Sequence, residues 1–395
     1  MVCRTSIYRD GNEVGDNRIP ERQADKRRIL LVVRWPVGGI RTFLKYVISD
    51  FPSDGYRFSV VGTCTEGMTA LRSELGDRVD NWILVPDCGN EALNISIAIC
   101  RLHRKQTFDA VHAHGFTSAV ACLPLGLTSR STMICTSHDI INESQFEGPK
   151  GFLRRMVLAV ALGRCKSVHS VSRDAESNLL SYFPFLRGKS ITIKNGVDVR
   201  LFRNCERTEL HGMYGLNPSV KIIGFFGRFM GQKGFKYLVA AIEILRSDSG
   251  SPDVHVLCFG SGAFIREEQE EIRRKGLESY FTFVPFTPDV SGVMKGCDLI
   301  AMPSLWEACP LQPMEALCAG VPFIGSNCIG LSEVLEGTPA LQSVAGDSKS
   351  LATGILQSLE RGREPFEKFA PVAAERFDVR KTALNIYELY EKVIG

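Results

Sequence analysis

Residues 299–325 read LIAMPSLWEACPLQPMEALCAGVPFIG. The runs 299–302 and 321–325 are short, apolar and bounded by turn residues, as buried strands are, and the segment between them has room for a loop and a short helix. Pro313 suits a first helical position, because the N–H it lacks would have no intrahelical partner there, and Gly320 with Pro322 stops the helix. Strand, helix and strand in close succession form the repeating unit of a parallel α/β sheet.

Working outward, the same alternation fills the chain from Arg28 to its end. The second half predicts further strands at 221–227, 254–260 and 281–284. The first half predicts them at 29–33, 110–114, 132–137, 167–172 and 190–194. Residues 202–219 are polar and helix-poor, which places the hinge there. At the end of the chain, Ala383, Ile386, Tyr387, Tyr390 and Ile394 recur at helical spacing and predict an amphipathic helix with one buried face. The expected organisation is a mobile tail over 1–26, an N-terminal Rossmann-like domain over 27–205, a C-terminal Rossmann-like domain over 206–376 and a closing segment over 377–395.

Composition narrows the function. The chain has 395 residues, 44% of them hydrophobic and 23% charged, enough for two ordinary cores. Its 47 basic and 44 acidic residues leave a net charge of +3, too balanced for a dedicated nucleic-acid binder. No apolar run reaches the roughly 18 residues that span a bilayer, and the N-terminus lacks the apolar region of a signal peptide, so a cytosolic location is expected. The 13 cysteines contain no C-x-x-C pair and many sit in apolar stretches, so they read as reduced core residues.

Three stretches carry chemistry. Gly38-Gly39 follows the first predicted strand and opens a helix, where backbone N–H groups approach a phosphate or sugar and the helix dipole adds positive potential. The same pair also serves ordinary turn geometry. Arg228 and Lys233 follow a strand among small residues, and two cations at the carboxyl end of a strand suit a diphosphate. A solvated basic loop has the same composition. In the opening stretch, Glu307 lies in the loop after a strand and Glu315 in the first helical turn, where a carboxylate accepts from sugar hydroxyls or simply complements the helix dipole. The N–H groups of Leu311 and Gln312 are available to a ligand there. Asn195-Gly196 is a turn whose residues tolerate positive φ.

Taken together and in order, these residues resemble the retaining glycosyltransferases of family 4, which have the GT-B fold of two Rossmann-like domains facing across a cleft. Glu307 and Glu315 match the family's pair of glutamates separated by seven residues. The resemblance runs from Arg28 through Gly38-Gly39, Val111-His112-Ala113-His114, Thr136-Ser137-His138-Asp139, Val171-Ser172-Arg173, Asn195-Gly196-Val197-Asp198, Gly227-Arg228 with Lys233-Gly234, and Gly260-Ser261-Gly262. It implies that Arg228 and Lys233 hold the donor diphosphate, that Glu315 binds the ribose hydroxyls, and that Glu307 faces the transferred sugar or its loop. It further implies that the Gly38-Gly39 amides meet the phosphate or sugar, that His138 contacts the sugar near the reaction centre, and that Asn195-Gly196 is a secondary site. Gly262 and Phe286 are expected near the donor base. The last helix is expected to return to the N-terminal domain. Two departures stand out: Arg41 where many relatives are acidic, and Pro310 where many have glycine.

The implied reaction transfers a sugar with retention from a nucleotide-diphosphate sugar to a saccharide or lipid-linked acceptor, in surface polysaccharide or glycoconjugate synthesis. No Asp-x-Asp motif is present to bring a divalent cation to the diphosphate, and His112 with His114 lacks a third ligand at suitable spacing, so neither metal nor cofactor is expected. His138 also reads as a core histidine at a strand end. A nucleotide-sugar 2-epimerase would share the architecture but needs further acid and base carboxylates, and a non-catalytic sugar-nucleotide-binding partner would be marked by lost cleft residues. Residues 150–162 combine Lys150, Arg154 and Arg155 with Phe152, Leu153, Met156, Val157 and Leu158, which suits either a helix packed on its own sheet or peripheral contact with an anionic membrane.

Overall fold

The computed structural model describes residues 26–52, 55–128, 131–248, 250–284, 287 and 289–395. The tail expected over 1–26 lies outside these residues except for Lys26, and Phe286 lies outside them too. Two compact units emerge: one holds the chain up to Lys194 together with Arg380–Gly395, the other holds Asn195–Val379.

The first unit is built on seven parallel strands: β1 (Arg27–Val33), β2 (Tyr56–Thr63), β3 (Val79–Val85), β4 (Ala110–His114), β5 (Thr132–Ser137), β6 (Ser167–Ser170) and β7 (Ser190–Thr192). They lie in the order β3-β2-β1-β4-β5-β6-β7. The centre of β1 is continuously apolar because helices cover both faces of a parallel sheet, and Ile29 to Val33 are all buried. The chain starts at β1, runs out to β3, then returns to β1's other side at β4. Between β1 and β4 the strand order reverses, and the crevice at the carboxyl ends of these two strands is where open α/β sheets bind ligands.

The second unit repeats the plan with β8 (Lys221–Phe226), β9 (Val254–Phe259), β10 (Phe281–Val284), β11 (Leu299–Met302), β12 (Phe323–Ser326) and β13 (Leu341–Ser343), ordered β10-β9-β8-β11-β12-β13. Its reversal lies between β8 and β11. An apolar core of Phe225, Phe229, Phe235, Leu238, Ile242 and Val256 packs beneath it.

The change of unit comes at Lys194, before the 205 boundary and the 202–219 hinge expected from composition. Residues 195–205 are polar in pattern yet held by the second unit. The Asn195 amide donates to the Cys309 carbonyl at 3.0 Å. Val197 and Phe377–Val379 exchange backbone hydrogen bonds in a parallel bridge. Val199 and Phe202, on the short helix Val199–Arg203, are buried. A Cβ at Gly196 would collide with the Val379 backbone, which is why glycine stands there.

The last helix, Val379–Ile394, buries Ala383, Ile386, Leu389 and Tyr390, and its Tyr390 and Tyr387 rings meet Phe51 and Tyr56 of the first unit. All described cysteines are free thiols, eight of them buried. No described helix is long and apolar enough to cross a membrane.

Candidate active site

The second unit places the predicted cations and carboxylates around its reversal point. Arg228 lies just past the end of β8 and is exposed, with no ion pair among the described residues. Lys233 ends a single 3-10 turn, Gly231–Lys233. Gly234 follows with φ +63°, and a side chain there would run into the Pro303 carbonyl, so glycine lets this turn lie against the loop that leaves β11. Two further hydrogen bonds stitch the loops: Leu305 N–H donates to the Gln232 carbonyl, and the Gln232 amide donates to the Trp306 carbonyl, both at 2.8 Å.

That contact delivers Lys233 Nζ to Glu307 Oε1 at 2.6 Å. Glu307 is 6% exposed, and its backbone N–H donates to Ile329. Gly330, at φ +77°, passes so close to the Glu307 carbonyl that no side chain could fit. The Glu307 backbone is thus held against Ile329 and Gly330, and its carboxylate is held by Lys233. An ammonium held by a single carboxylate keeps donor capacity for a second anion, and the Lys233 stem passes close to Gly227, the residue before Arg228.

Glu315 sits on the helix Gln312–Cys318, half-buried, with Pro313 in the first turn as expected. Leu311 and Gln312 open that helix, so their N–H groups have no intrahelical acceptor, and the Gln312 side-chain amide nitrogen is buried without a partner. Asn195 joins this neighbourhood through Cys309, and its Oδ1 is also buried and unpartnered. Gly262 lies where a Cβ would strike the Phe229 backbone; Phe229 donates to Ser261 and accepts from Phe264, so the turns after β8 and β9 are zipped together.

In the first unit, Gly38 precedes the helix Gly39–Ser49 with φ 57° and ψ −130°, a conformation that calls for glycine, and both glycines are exposed. Arg41, the unusual residue of this turn, lies 3.7 Å from Glu74, which also receives Lys45 at 3.5 Å. Phe43 of the same helix meets the His138 ring edge-on, with centroids 5.0 Å apart. His138 directly follows β5, and its Nε2 is 3.1 Å from His114 Nδ1.

The neighbouring buried groups form a relay that no motif in the sequence announces. Burial holds His112 and His114 well below the usual histidine range and pushes His169 down to about 4, so the three rings are neutral at pH 7. His169 Nε2 lies 2.8 Å from the Ile193 carbonyl, which only accepts, so Nε2 carries the proton and Nδ1 a lone pair. Thr136 must then donate its hydroxyl proton to His169 Nδ1, at 3.0 Å, and accept from His112 Nε2, at 2.7 Å. His112 Nδ1 accepts from Tyr390 across 2.7 Å. One direction of donation runs from the last helix to the loop after β7. The strand alternation that could imitate a metal pair in His112 and His114 instead sets the two rings in tilted contact, with centroids 4.3 Å apart. Among the described residues no three His, Cys, Asp or Glu side chains are grouped to hold a metal ion.

The model described as Glycosyltransferase Family 4 matches residues 37–201, and the one described as Glycosyl transferases group 1 matches 220–361. A D-inositol 3-phosphate glycosyltransferase of Paenarthrobacter aurescens is 26% identical over 76% of this chain and 76% of its own. An Escherichia coli UDP-Gal:alpha-D-GlcNAc-diphosphoundecaprenol alpha-1,3-galactosyltransferase is 24% identical over 66% of this chain and 69% of its own. Among solved structures, Anabaena HepE in complex with UDP and glucose superposes with a TM-score of 0.79 at 20% identity, covering 93% of this chain and all of that one.

Proposed function

Because the chain belongs to the glycosyltransferases of family 4, with the GT-B fold, we propose that it transfers a sugar from a nucleotide-diphosphate sugar, with retention and without a metal, to a saccharide or lipid-linked acceptor. The observation that carries this reading is the Lys233–Glu307 pair joining the loops after β8 and β11, the strands at the reversal point of the second sheet, with Arg228 exposed just past the end of β8. Sugar transfer leaves a nucleoside diphosphate with growing negative charge. Arg228 and Lys233 neutralise it in place of a divalent cation. Glu315 takes the ribose hydroxyls, the Leu311 and Gln312 amides meet the donor, and Glu307 holds Lys233 and faces the sugar. In the first unit, the Gly38-Gly39 amides and His138 serve the phosphate and the sugar. Retention follows if the leaving diphosphate accepts the acceptor's proton on the face it departs from, a route that asks for no protein nucleophile. The relative that acts on a diphosphoundecaprenol-linked sugar supports synthesis of glycoconjugates or surface polysaccharides as the pathway.

The test is thermal stability with UDP, GDP and ADP. Saturation at a hundred times the dissociation constant stabilises by about 2.7 kcal/mol. One diphosphate is expected to raise the melting temperature, and Lys233→Ala and Glu315→Ala are each expected to abolish the shift. No shift with any of the three would overturn the reading.

A lipid-linked acceptor is favoured by the helix Gly148–Arg164. Its Phe152, Leu153, Met156 and Val160 are exposed along one stripe, which Phe185 extends beside Gly163. Between 148 and 189 the chain carries eight Lys and Arg against two acidic residues, a local excess larger than the net +3 of the whole chain. An exposed apolar stripe within a basic stretch of chain fits the surface of an anionic bilayer. The protein is expected to sediment with vesicles containing phosphatidylglycerol and to stay in solution with phosphatidylcholine alone. Phe152→Ser with Leu153→Ser is expected to abolish sedimentation without changing the diphosphate-induced thermal shift. Equal recovery of both proteins with the anionic vesicles would remove this surface from the account.

A further inference from the structure

His114 is 4% exposed, and its two ring nitrogens are unequal. Nδ1 faces His138 Nε2, while Nε2 is buried with no hydrogen-bond partner. Orphaned buried N–H groups are rarer in folded proteins than under-satisfied buried acceptors, so the proton is assigned to Nδ1. Nδ1 then donates to His138, whose Nε2 must be a lone pair. A neutral imidazole carries one proton, which in His138 is therefore on Nδ1. That nitrogen has no hydrogen-bond partner among the described residues and lies on a half-buried side chain at the carboxyl end of β5.

Phe43 meets both rings, edge-on to His138 and tilted against His114, with centroids 5.0 and 6.0 Å away. It comes from the helix that begins at Gly39, so the glycine turn and the histidine are braced by one side chain. The other histidines of the cluster are already committed: the His112 and His169 protons are fixed by Thr136 and the Ile193 carbonyl. His114 is the member with a nitrogen to spare, and it is spent on His138.

We propose that His114 is a positioning residue that fixes His138 as an Nδ1–H donor at the carboxyl end of β5. A donor of set direction suits an oxygen of the transferred sugar, while the opposite tautomer would present a lone pair and exclude the same contact. The catalytic half of this proposal rests on the glycosyl-transfer reading; the tautomer itself does not.

Long-range nitrogen–proton correlation spectra of the full-length protein, labelled at histidine with nitrogen-15, read each ring's tautomer directly. His138 is expected to be protonated at Nδ1 in the wild type. His114→Phe, which fills the space without a donor, is expected to move His138 toward the Nε2–H form. His114→Gln, whose amide can still donate, is expected to keep the wild-type form. With the donor sugar identified by the diphosphate panel, kcat is expected to fall 10- to 100-fold in His114→Phe with KM for the donor changed less than threefold, and to recover to within a few-fold in His114→Gln. A wild-type His138 carrying its proton on Nε2 overturns the proposal, even if the variants fail to fold. So does a His114→Phe protein whose His138 tautomer and kcat match the wild type. Loss of every diphosphate-induced thermal shift alongside the expected spectra would instead overturn the glycosyl-transfer reading and leave the tautomer assignment standing.

Discussion

Lys233→Met is expected to lower turnover with the nucleotide-sugar donor by about 100- to 1000-fold, the usual loss when one charge-stabilising group is taken from a site where negative charge develops. The variant removes the ammonium, keeps most of the aliphatic stem and leaves Glu307 with its carboxylate buried and its 2.6 Å partner gone. Stability is expected to fall as well, by about 1–3 kcal/mol, because an orphaned buried acceptor loses solvation that nothing replaces. The Lys233 side chain is 20% exposed, so water can relieve part of this and the fully buried limit does not apply. Glu307→Gln separates the two effects. The amide oxygen can still accept from Lys233, so folding is expected to change by less than about 1 kcal/mol while kcat falls by about tenfold through loss of the held charge. The double variant is expected to be no worse in turnover than Lys233→Met alone, since residues acting as a unit are not additive. Activity of Lys233→Met within threefold of the wild type would remove Lys233 from the reaction.

The carboxylates of that site are legible in the amino-acid sequence because they depend on local signals. Pro313, Gly320 and Pro322 mark the helix ends, and Glu307 and Glu315 stand on either side of its start. The strands at 110–114, 132–137, 281–284 and 299–302 are legible to the residue, since buried parallel strands are continuous apolar runs with turn residues at their ends. Strands β2, β3 and β13 are absent from the sequence reading. β3 has half-exposed and exposed residues along most of its length, as an edge strand does, and β13 is only three residues long. The unit boundary lies earlier than composition places it because 195–205 has the make-up of a linker; what holds it is the parallel bridge of Val197 to Asp378, a pairing between residues far apart in sequence. The histidine relay is hidden for the same reason. His112 and Thr136 come from adjacent strands, His169 from the next, and Tyr390 from the last helix, and no local pattern announces that four such groups share one chain of hydrogen bonds. By periodicity alone Tyr390 is one apolar position on an amphipathic face.

That tyrosine supplies the other large effect. Tyr390→Ala is expected to destabilise the first unit by about 3–5 kcal/mol, the range for deleting a buried aromatic ring. The ring is 1% exposed and packs against Phe51, Tyr56 and His112. Tyr390→Phe keeps the ring and removes only the donor to His112 Nδ1, so its expected cost is about 1–2 kcal/mol. Denaturant unfolding followed by histidine and tyrosine signals of the first unit checks both, and a Phe variant as stable as the wild type would show that the hydroxyl is not the head of the relay. The relay also sets the acid limit of the fold. His112, His114, His138 and His169 are held neutral by burial, with folded pKa values below the ordinary 6.5. Above that pH neither folded nor unfolded chain binds these protons, and stability is independent of them. As pH falls below about 6.5 the unfolded chain takes up protons that the folded chain refuses, so stability declines, and for His169 the decline continues to its folded value of about 4. On the order of 3 kcal/mol is expected from His169 alone over that interval. The midpoint of denaturation should therefore be flat between pH 7 and 8 and fall steadily below pH 6, and a flat midpoint down to pH 4 would mean that these rings are not buried in neutral form.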